Sequence, residues 1–320
     1  MLTPIWSTMR LALVLLVALC SAVAVVPATA SEPLQDANLT LLSLKVNGKG
    51  EALLTYRRAD GRPRRVLAWG AINARAPSAD VPQVRFRWDY AGGWGKYRNG
   101  KYWRRFKNRC GPYDGPPLPM LVAACKAPDG TYWTVQSWQR RLPLLGFDPW
   151  LSYHTNWEFH VAHFSGELPR LELYPNWTHD GRWQGVFGRY SYLGQPVFGY
   201  GSTAKGVPKD KYGRNLYIDT LNSAYGAGWR RESGILTHRG TGTFCHSFVP
   251  QRPFAGYPSQ QMRPAAAGER HRVTVGGPGV TPVVQAEVAG LTEADQGRDG
   301  EFNSVFDQVM AGDRICAGER

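Results

Sequence analysis

The chain has 320 residues, 43% of them hydrophobic and 20% charged, with a net charge of +13. This length supports one large domain or two modest ones. The charge excludes a uniformly basic surface: residues 57–109 hold 15 Lys or Arg against 3 Asp, Arg10 adds one cation, and the rest of the chain after residue 30 balances at 22 basic and 22 acidic residues. Such concentration implies a focused field on one segment.

At the N-terminus, Arg10 precedes an apolar run from Leu11 to Val26 interrupted only by Ser21, and Ala28-Thr29-Ala30 follows. This is the layout of a secretory signal peptide, with cleavage expected after Ala30. A retained anchor, or a lipid on Cys20, is the alternative, although Leu19 is too large for the usual residue before a lipidated cysteine. The run is short for a membrane span, and no later apolar stretch is long enough for one.

Leu42–Val46, a turn at Asn47-Gly48 and Ala52–Arg57 predict a hairpin. Asp60-Gly61 turns into a strand over Arg65–Ile72, and residues 73–83 read as a loop. Arg85–Tyr90 and Lys101–Lys107 each alternate basic and aromatic residues around Gly92-Gly93 and Asn99-Gly100, which predicts a basic–aromatic hairpin. Residues 111–119 form a Gly/Pro loop, Met120–Cys125 is strand or helix, and Asp129-Gly130 turns into a strand over Tyr132–Trp138.

Tyr153–His163 reads as a strand, with Leu171–Tyr174 as its partner across a turn at Ser165-Gly166. At period two, Tyr153, Thr155, Trp157, Phe159, Val161 and His163 face the core, while His154, Asn156, Glu158, His160, Ala162 and Phe164 face away from it. Trp183–Ser191 and Gln195–Tyr200 form a hairpin at Gly194, and Gly201–Asn215 is a polar loop. Strands follow at Leu216–Thr220, Arg230–His238 and Phe244–Val249, with a bend at Ser223–Gly228. Residues 250–268 read as a linker, and Arg272–Val275 and Val283–Val288 as strands. Phe302, Val305, Phe306 and Val309 fall at helical spacing, with Asp299 as N-cap and Gly312 as stop. The pattern predicts an all-β, antiparallel sandwich or barrel-like body with a short C-terminal helix. Residues 31–268 form the main domain, and the strands and helix of 269–320 pack on it.

Residues 129–138 (DGTYWTVQSW), 213–229 (GRNLYIDTLNSAYGAGW) and 241–248 (TGTFCHSF) resemble a family of secreted bacterial proteins of unknown function. The likeness spans residues 105–290. It implies secretion and a single shared body, and it carries no activity, substrate or catalytic residue.

After Ala30 four cysteines remain, Cys110, Cys125, Cys245 and Cys316. An even count in a secreted chain predicts two disulfides. Of three connectivities, Cys110–Cys125 with Cys245–Cys316 is favoured because the first pair flanks a short loop, a closure worth about 3 kcal/mol. Zinc is less well supported, since there is no C-x-x-C spacing.

Three sets of residues carry candidate chemistry. The first is Arg85, Arg87, Trp88, Trp94, Lys96, Arg98, Lys101, Trp103, Arg104, Arg105 and Lys107. Guanidinium forks bind carboxylates or phosphates, and aromatic faces stack on sugars or bases. The partner implied is an anionic polysaccharide or another extracellular polyanion. The competing reading puts the aromatics in the core and the cations on a solvated face. The second set is His154, Glu158 and His160, with His163 or His179, which suits metal ligation or general acid–base work. There is no H-E-x-x-H, and His160 and His163 lie on opposite faces of a strand, so no metal or other cofactor is expected.

The third set gathers around Tyr212, Arg214, Tyr217, Asp219, Asn222, Tyr225, Trp229, Arg230, Arg231 and Glu232. These are the residue types of polysaccharide lyases, or of a packed bend with a buried Tyr–Asp–Arg network. In an enzyme, His160 or Tyr217 moves the proton, Glu158 orients it, and Arg214 or Arg230 neutralises a substrate acid. G-x-S-x-G, P-loop and dinucleotide fingerprints are absent. The expectation is a secreted non-catalytic protein that binds an anionic or glycan-type polymer. The alternatives are a secreted polysaccharide-degrading enzyme and a structural envelope protein without a ligand.

Overall fold

Short strands and tight turns build the molecule in chain order. A computed structural model describes residues 31–72, 86–139, 152–166, 168–175, 178–179, 182–183, 185–197, 215–223, 226–238, 240–248, 268–276, 282–290 and 296–317. The signal-peptide layout, the loops at 73–83 and 201–214, the linker at 250–267, and Arg85, Tyr212, Arg214 and Tyr225 lie outside the described residues.

The first strands are β1 (Ser31–Ala37), β2 (Thr40–Val46), β3 (Ala52–Arg57), β4 (Pro63–Trp69) and β5 (Arg87–Asp89). Next come β6 (Leu121–Lys126), β7 (Tyr132–Trp138), β8 (Glu158–Phe164) and β9 (Arg170–Pro175), with the two-residue strands β10 (Thr178–His179) and β11 (Arg182–Trp183). Then follow β12 (Gly185–Tyr192), β13 (Gln195–Pro196), β14 (Asn215–Ser223), β15 (Gly226–Ile235), β16 (Thr243–Ser247), β17 (Arg270–Gly276) and β18 (Val284–Ala289). A helix over Gln296–Val309 closes the described fold.

The pairing is antiparallel throughout. The described residues form four four-stranded sheets and one small ribbon. One sheet is the meander β2-β3-β4-β5, and a second has the order β1-β8-β7-β6. In the third, β12 pairs β9, β13 and β16, and the fourth has the order β15-β14-β17-β18. The sheets make a sandwich-like body and do not close into a barrel. One continuous core takes side chains from all four sheets, among them Leu54, Tyr56, Trp133, Val161, Val186, Phe244, Leu216 and Val273. A smaller cluster forms where Phe306 and Met310 of the C-terminal segment pack on Phe187 of β12. The ring of Phe306 is fully buried, and burial of this size stabilises by roughly 1.5–3 kcal/mol.

Three expectations are corrected. Leu171–Tyr174 does not pair with the strand before it: β9 pairs β12 in the register Tyr174↔Phe187, and β8 lies between β1 and β7. The partner on the other side of β8 is Ser31–Ala37, whose Pro and acidic residues hide a strand from periodicity. Residues 152–155 form a 3-10 turn, so the strand starts only at Glu158, and Tyr153 and Trp157 are exposed instead of facing the core. The C-terminal helix starts at Gln296, which puts Asp299 in its first turn, while Gly312 adopts φ +81° beyond its end. Met120–Cys125 resolves as strand β6. Both disulfides form as favoured, Cys110–Cys125 and Cys245–Cys316.

Candidate functional site

The basic segment is mounted on the outer face of the β2-β3-β4-β5 sheet. Alternation sends Val46, Leu54, Tyr56 and Val66 into the core and leaves Leu53, Arg65, Leu67 and Trp69 on the other side. Leu53 and Leu67 are nevertheless buried, because the segment after β5 folds back across them. The Arg65 guanidinium stacks 3.8 Å from the Trp103 ring centre, and the Lys96 ammonium lies 4.4 Å over Trp69.

This cap replaces the expected hairpin: Trp94–Tyr97 is one helical turn and Tyr102–Arg104 a 3-10 turn. Gly93 explains the reversal. It has φ +105°, and a Cβ there would stand 2.5 Å from the Tyr102 ring, so only glycine lets the chain turn back so tightly.

The cap is anchored on Glu51, which is 3% exposed. Its Oε2 accepts from Asn47 Nδ2 at 2.9 Å and from the Tyr102 hydroxyl at 3.0 Å. Its Oε1 accepts from the Tyr97 hydroxyl and from the Lys96 ammonium. Burial pushes this carboxyl up, but the bonds from Lys96, Tyr97, Asn47 and Tyr102 outweigh it, so the group stays below the usual carboxylate range. The rings of Tyr97 and Tyr102 stack 4.0 Å apart.

The expected polymer-facing set therefore divides. Lys96 is neutralised by Glu51. Trp88 turns inward, donates from Nε1 to Glu32 Oε2 at 2.7 Å and stacks on Phe86. Trp103 is half-buried, with Arg65 and Arg104 at 3.8 and 5.2 Å from its ring centre. Arg87, Arg98, Lys101, Arg104, Arg105 and Lys107 are exposed, as is Arg109, and no acid among the described residues forms an ion pair with any of them. Trp94 is 57% exposed, and its ring lies against Gly100, where a Cβ would come within 2.7 Å of it. The sequence reading missed Glu51 and Arg65. The available signal was a carboxylate directly before the apolar run Ala52–Leu54 in a chain whose next fifty residues are strongly cationic.

The second and third candidate sets meet at Trp138. Its ring lies 5.5 Å from that of His160 and 5.4 Å from that of Tyr217. Gly276 on β17 makes the approach possible, since a Cβ there would overlap the indole at 2.0 Å. Glu158 pairs in register with Trp138, and its Oε2 stands 3.7 Å from His160 Nε2. Below Tyr217, the Arg231 guanidinium lies 4.5 Å over the ring and donates to Asp219, which also accepts from Arg272 Nε at 3.0 Å.

The face of β8 expected to be open to a ligand is closed. Glu158 is 3% and His160 0% exposed, and Asp219 and Arg231 are buried with them. Arg230 is half-buried in β15, and Arg214 is outside the described residues. His154 is buried in the 3-10 turn, and burial lowers its pKa. The side chain of His179 lies outside the described residues. His163 faces away from His160: its Nδ1 donates to the Gly70 carbonyl at 2.8 Å, its Nε2 meets Thr131 Oγ1 at 2.8 Å, and its ring stacks on Trp133.

A further cluster has no local sequence signature. The backbone pairs back on itself here, with His238 N–H donating to the Thr243 carbonyl at 2.7 Å and Gly242 N–H to the His238 carbonyl at 3.1 Å. His238 is thereby set beside the C-terminal turn, where its Nδ1 is 2.6 Å from Asp313 Oδ2 and 3.7 Å from Cys316 Sγ. Thr243 also donates to Oδ2, while the backbone N–H groups of Ile315 and Cys316 donate to Oδ1. Burial pushes the Asp313 carboxyl up, and the bonds from Thr243, Cys316, His238 and Ile315 overcome it and hold the group down at about 2.

Comparison with protein-family models, with curated proteins and with solved structures returns no match. The two disulfides indicate an oxidising, extracytoplasmic environment. No helix among the described residues is long and apolar enough to cross a membrane.

Proposed function

We propose that this chain is a secreted, non-catalytic protein that binds an anionic polysaccharide or a related extracellular polyanion through the cap formed by residues 87–109. The observation that carries this reading is the set of exposed cations Arg87, Arg98, Lys101, Arg104, Arg105, Lys107 and Arg109, which form no ion pair among the described residues, beside the exposed ring of Trp94. The Glu51 anchor supports it, because a fixed frame lowers the ordering cost of binding. Burial of Glu158 and His160 disfavours the competing glycan-cleaving role for that pair.

The test is co-sedimentation of the protein with an acidic polysaccharide across a salt series, with new chain ends counted in the same tube. The logarithm of the affinity is expected to fall linearly with that of the salt concentration. Combining Arg104→Ala with Arg105→Ala is expected to flatten that slope by about one to two units. Salt-independent binding, or an unchanged slope, would refute the cap as the site. New chain ends lost in His160→Ala or Tyr217→Phe would establish the enzyme instead.

A further inference from the structure

The Cys245–Cys316 disulfide sits against two other metal-ligating side chains. Cys316 Sγ, His238 Nδ1 and an Asp313 carboxylate oxygen all lie within 4.8 Å of one another, and Cys245 is bonded to Cys316. These donors arrive from three places in the fold: the turn after β15, strand β16, and the turn beyond the C-terminal helix. We propose that, with this disulfide reduced, Cys245, Cys316, His238 and Asp313 form a tetrahedral site for a zinc-type divalent cation, and that the disulfide closes that site in the oxidised protein.

The geometry suits the ion. Tetrahedral bonds of the usual zinc–sulfur and zinc–nitrogen lengths separate the sulfur and nitrogen donors by roughly 3.6 Å, and Cys316 Sγ and His238 Nδ1 stand 3.7 Å apart. The His238–Asp313 hydrogen bond at 2.6 Å has to open to roughly 3.3 Å, the spacing of nitrogen and oxygen donors on one ion. The outer support is already in place. Thr243 donates to Asp313 Oδ2, and backbone N–H groups fix Oδ1, the arrangement that orients ligating carboxylates.

The redox step balances with a dithiol as reductant. The S–S bond breaks, the dithiol becomes a disulfide, and its two protons pass to Cys245 and Cys316. The cation then displaces those two protons as it binds the thiolates. The ion would hold the C-terminal turn to β16 in a chain whose disulfide has not yet formed.

The full chain, reduced with a phosphine under argon, is titrated with Co2+ as a spectroscopic stand-in for Zn2+. One Co2+ per chain is expected, with a thiolate-to-cobalt charge-transfer band and tetrahedral visible bands that Zn2+ abolishes. The oxidised protein should show neither. His238→Ala removes a ligand and should weaken binding by more than the roughly tenfold to hundredfold that loss of an outer-shell partner costs. Absence of these bands in the reduced protein overturns the proposal. So do bands unaltered by His238→Ala and Cys316→Ser, which would put the ion elsewhere. Should those variants fail to fold, alkylation of the wild-type reduced chain decides: Zn2+ must protect Cys245 and Cys316 over Cys110 and Cys125. Equal protection, or none, refutes the site.

Discussion

His246 and His271 illustrate at the scale of single residues what burial does to an imidazole, even with the Glu232 carboxylate 4.0 Å from His246 Nε2. His271 stacks on Phe248 with ring centres 4.2 Å apart, and its Nδ1 is 3.0 Å from Thr220 Oγ1. His246 meets the same phenylalanine edge-on at 5.1 Å. Burial pushes both imidazoles down to about 4, with His246 adding a like-charge penalty at His271. Well above pH 6.5 both rings are neutral whether the chain is folded or not, so neither contributes a pH dependence there. Between 6.5 and about 4 only the unfolded chain takes up these protons, and stability falls as pH falls. Each histidine accounts for about 3 kcal/mol across that window. Urea midpoints measured from pH 7.5 to 4 should drop steeply below 6.5, and His271→Gln should flatten part of that drop. An equally steep drop in the variant would show that other groups set the acid limit.

At the scale of elements, the cap of residues 87–109 is decided by one carboxylate and one glycine. Basic and aromatic alternation at Lys101–Lys107 argues locally for a strand. The left-handed Gly93 and four donors converging on Glu51 impose two helical turns instead. Gly93→Ala adds one methyl group and removes no charge, yet the new Cβ would collide with Tyr102 at φ +105°. A stability loss of about 1–3 kcal/mol is expected, together with weaker polysaccharide binding at constant net charge. Circular dichroism melts and the co-sedimentation assay read the two effects. Full binding in a destabilised variant would separate the polymer site from the cap's geometry.

Across the whole molecule, the two disulfides differ in reach. Cys110 and Cys125 are 15 residues apart in sequence, Cys245 and Cys316 71 apart. Loop-closure entropy assigns about 3 kcal/mol to the first and about 4 kcal/mol to the second. Replacing Cys245 and Cys316 by Ser should lower the urea midpoint more than replacing Cys110 and Cys125. The reverse order would show that local packing outweighs chain closure. The longer bridge also secures the C-terminal turn beside Phe187 and Phe306, where a second small core forms.

Much of this architecture was legible in the residues. Ala52–Arg57 and Tyr132–Trp138 are strands with the bounds their period-two pattern implies, and the Asn47 and Asp129-Gly130 turns stand where their residue types place them. The cysteine pairing and the C-terminal helix were readable for the same reason: each rests on residues near in sequence or on simple counting. What only the tertiary structure decided is which strands meet. Pairing of β9 with β12, insertion of β8 between β1 and β7, and burial of both faces of β8 depend on contacts far apart in sequence, about which local periodicity carries no information. The meeting of His160 with Tyr217 at Trp138, and of His238 with Asp313 and Cys316, belongs to the same class. Composition and spacing determine the strands, the turns and where the charge is concentrated. Long-range packing determines which of those side chains face water and which face one another.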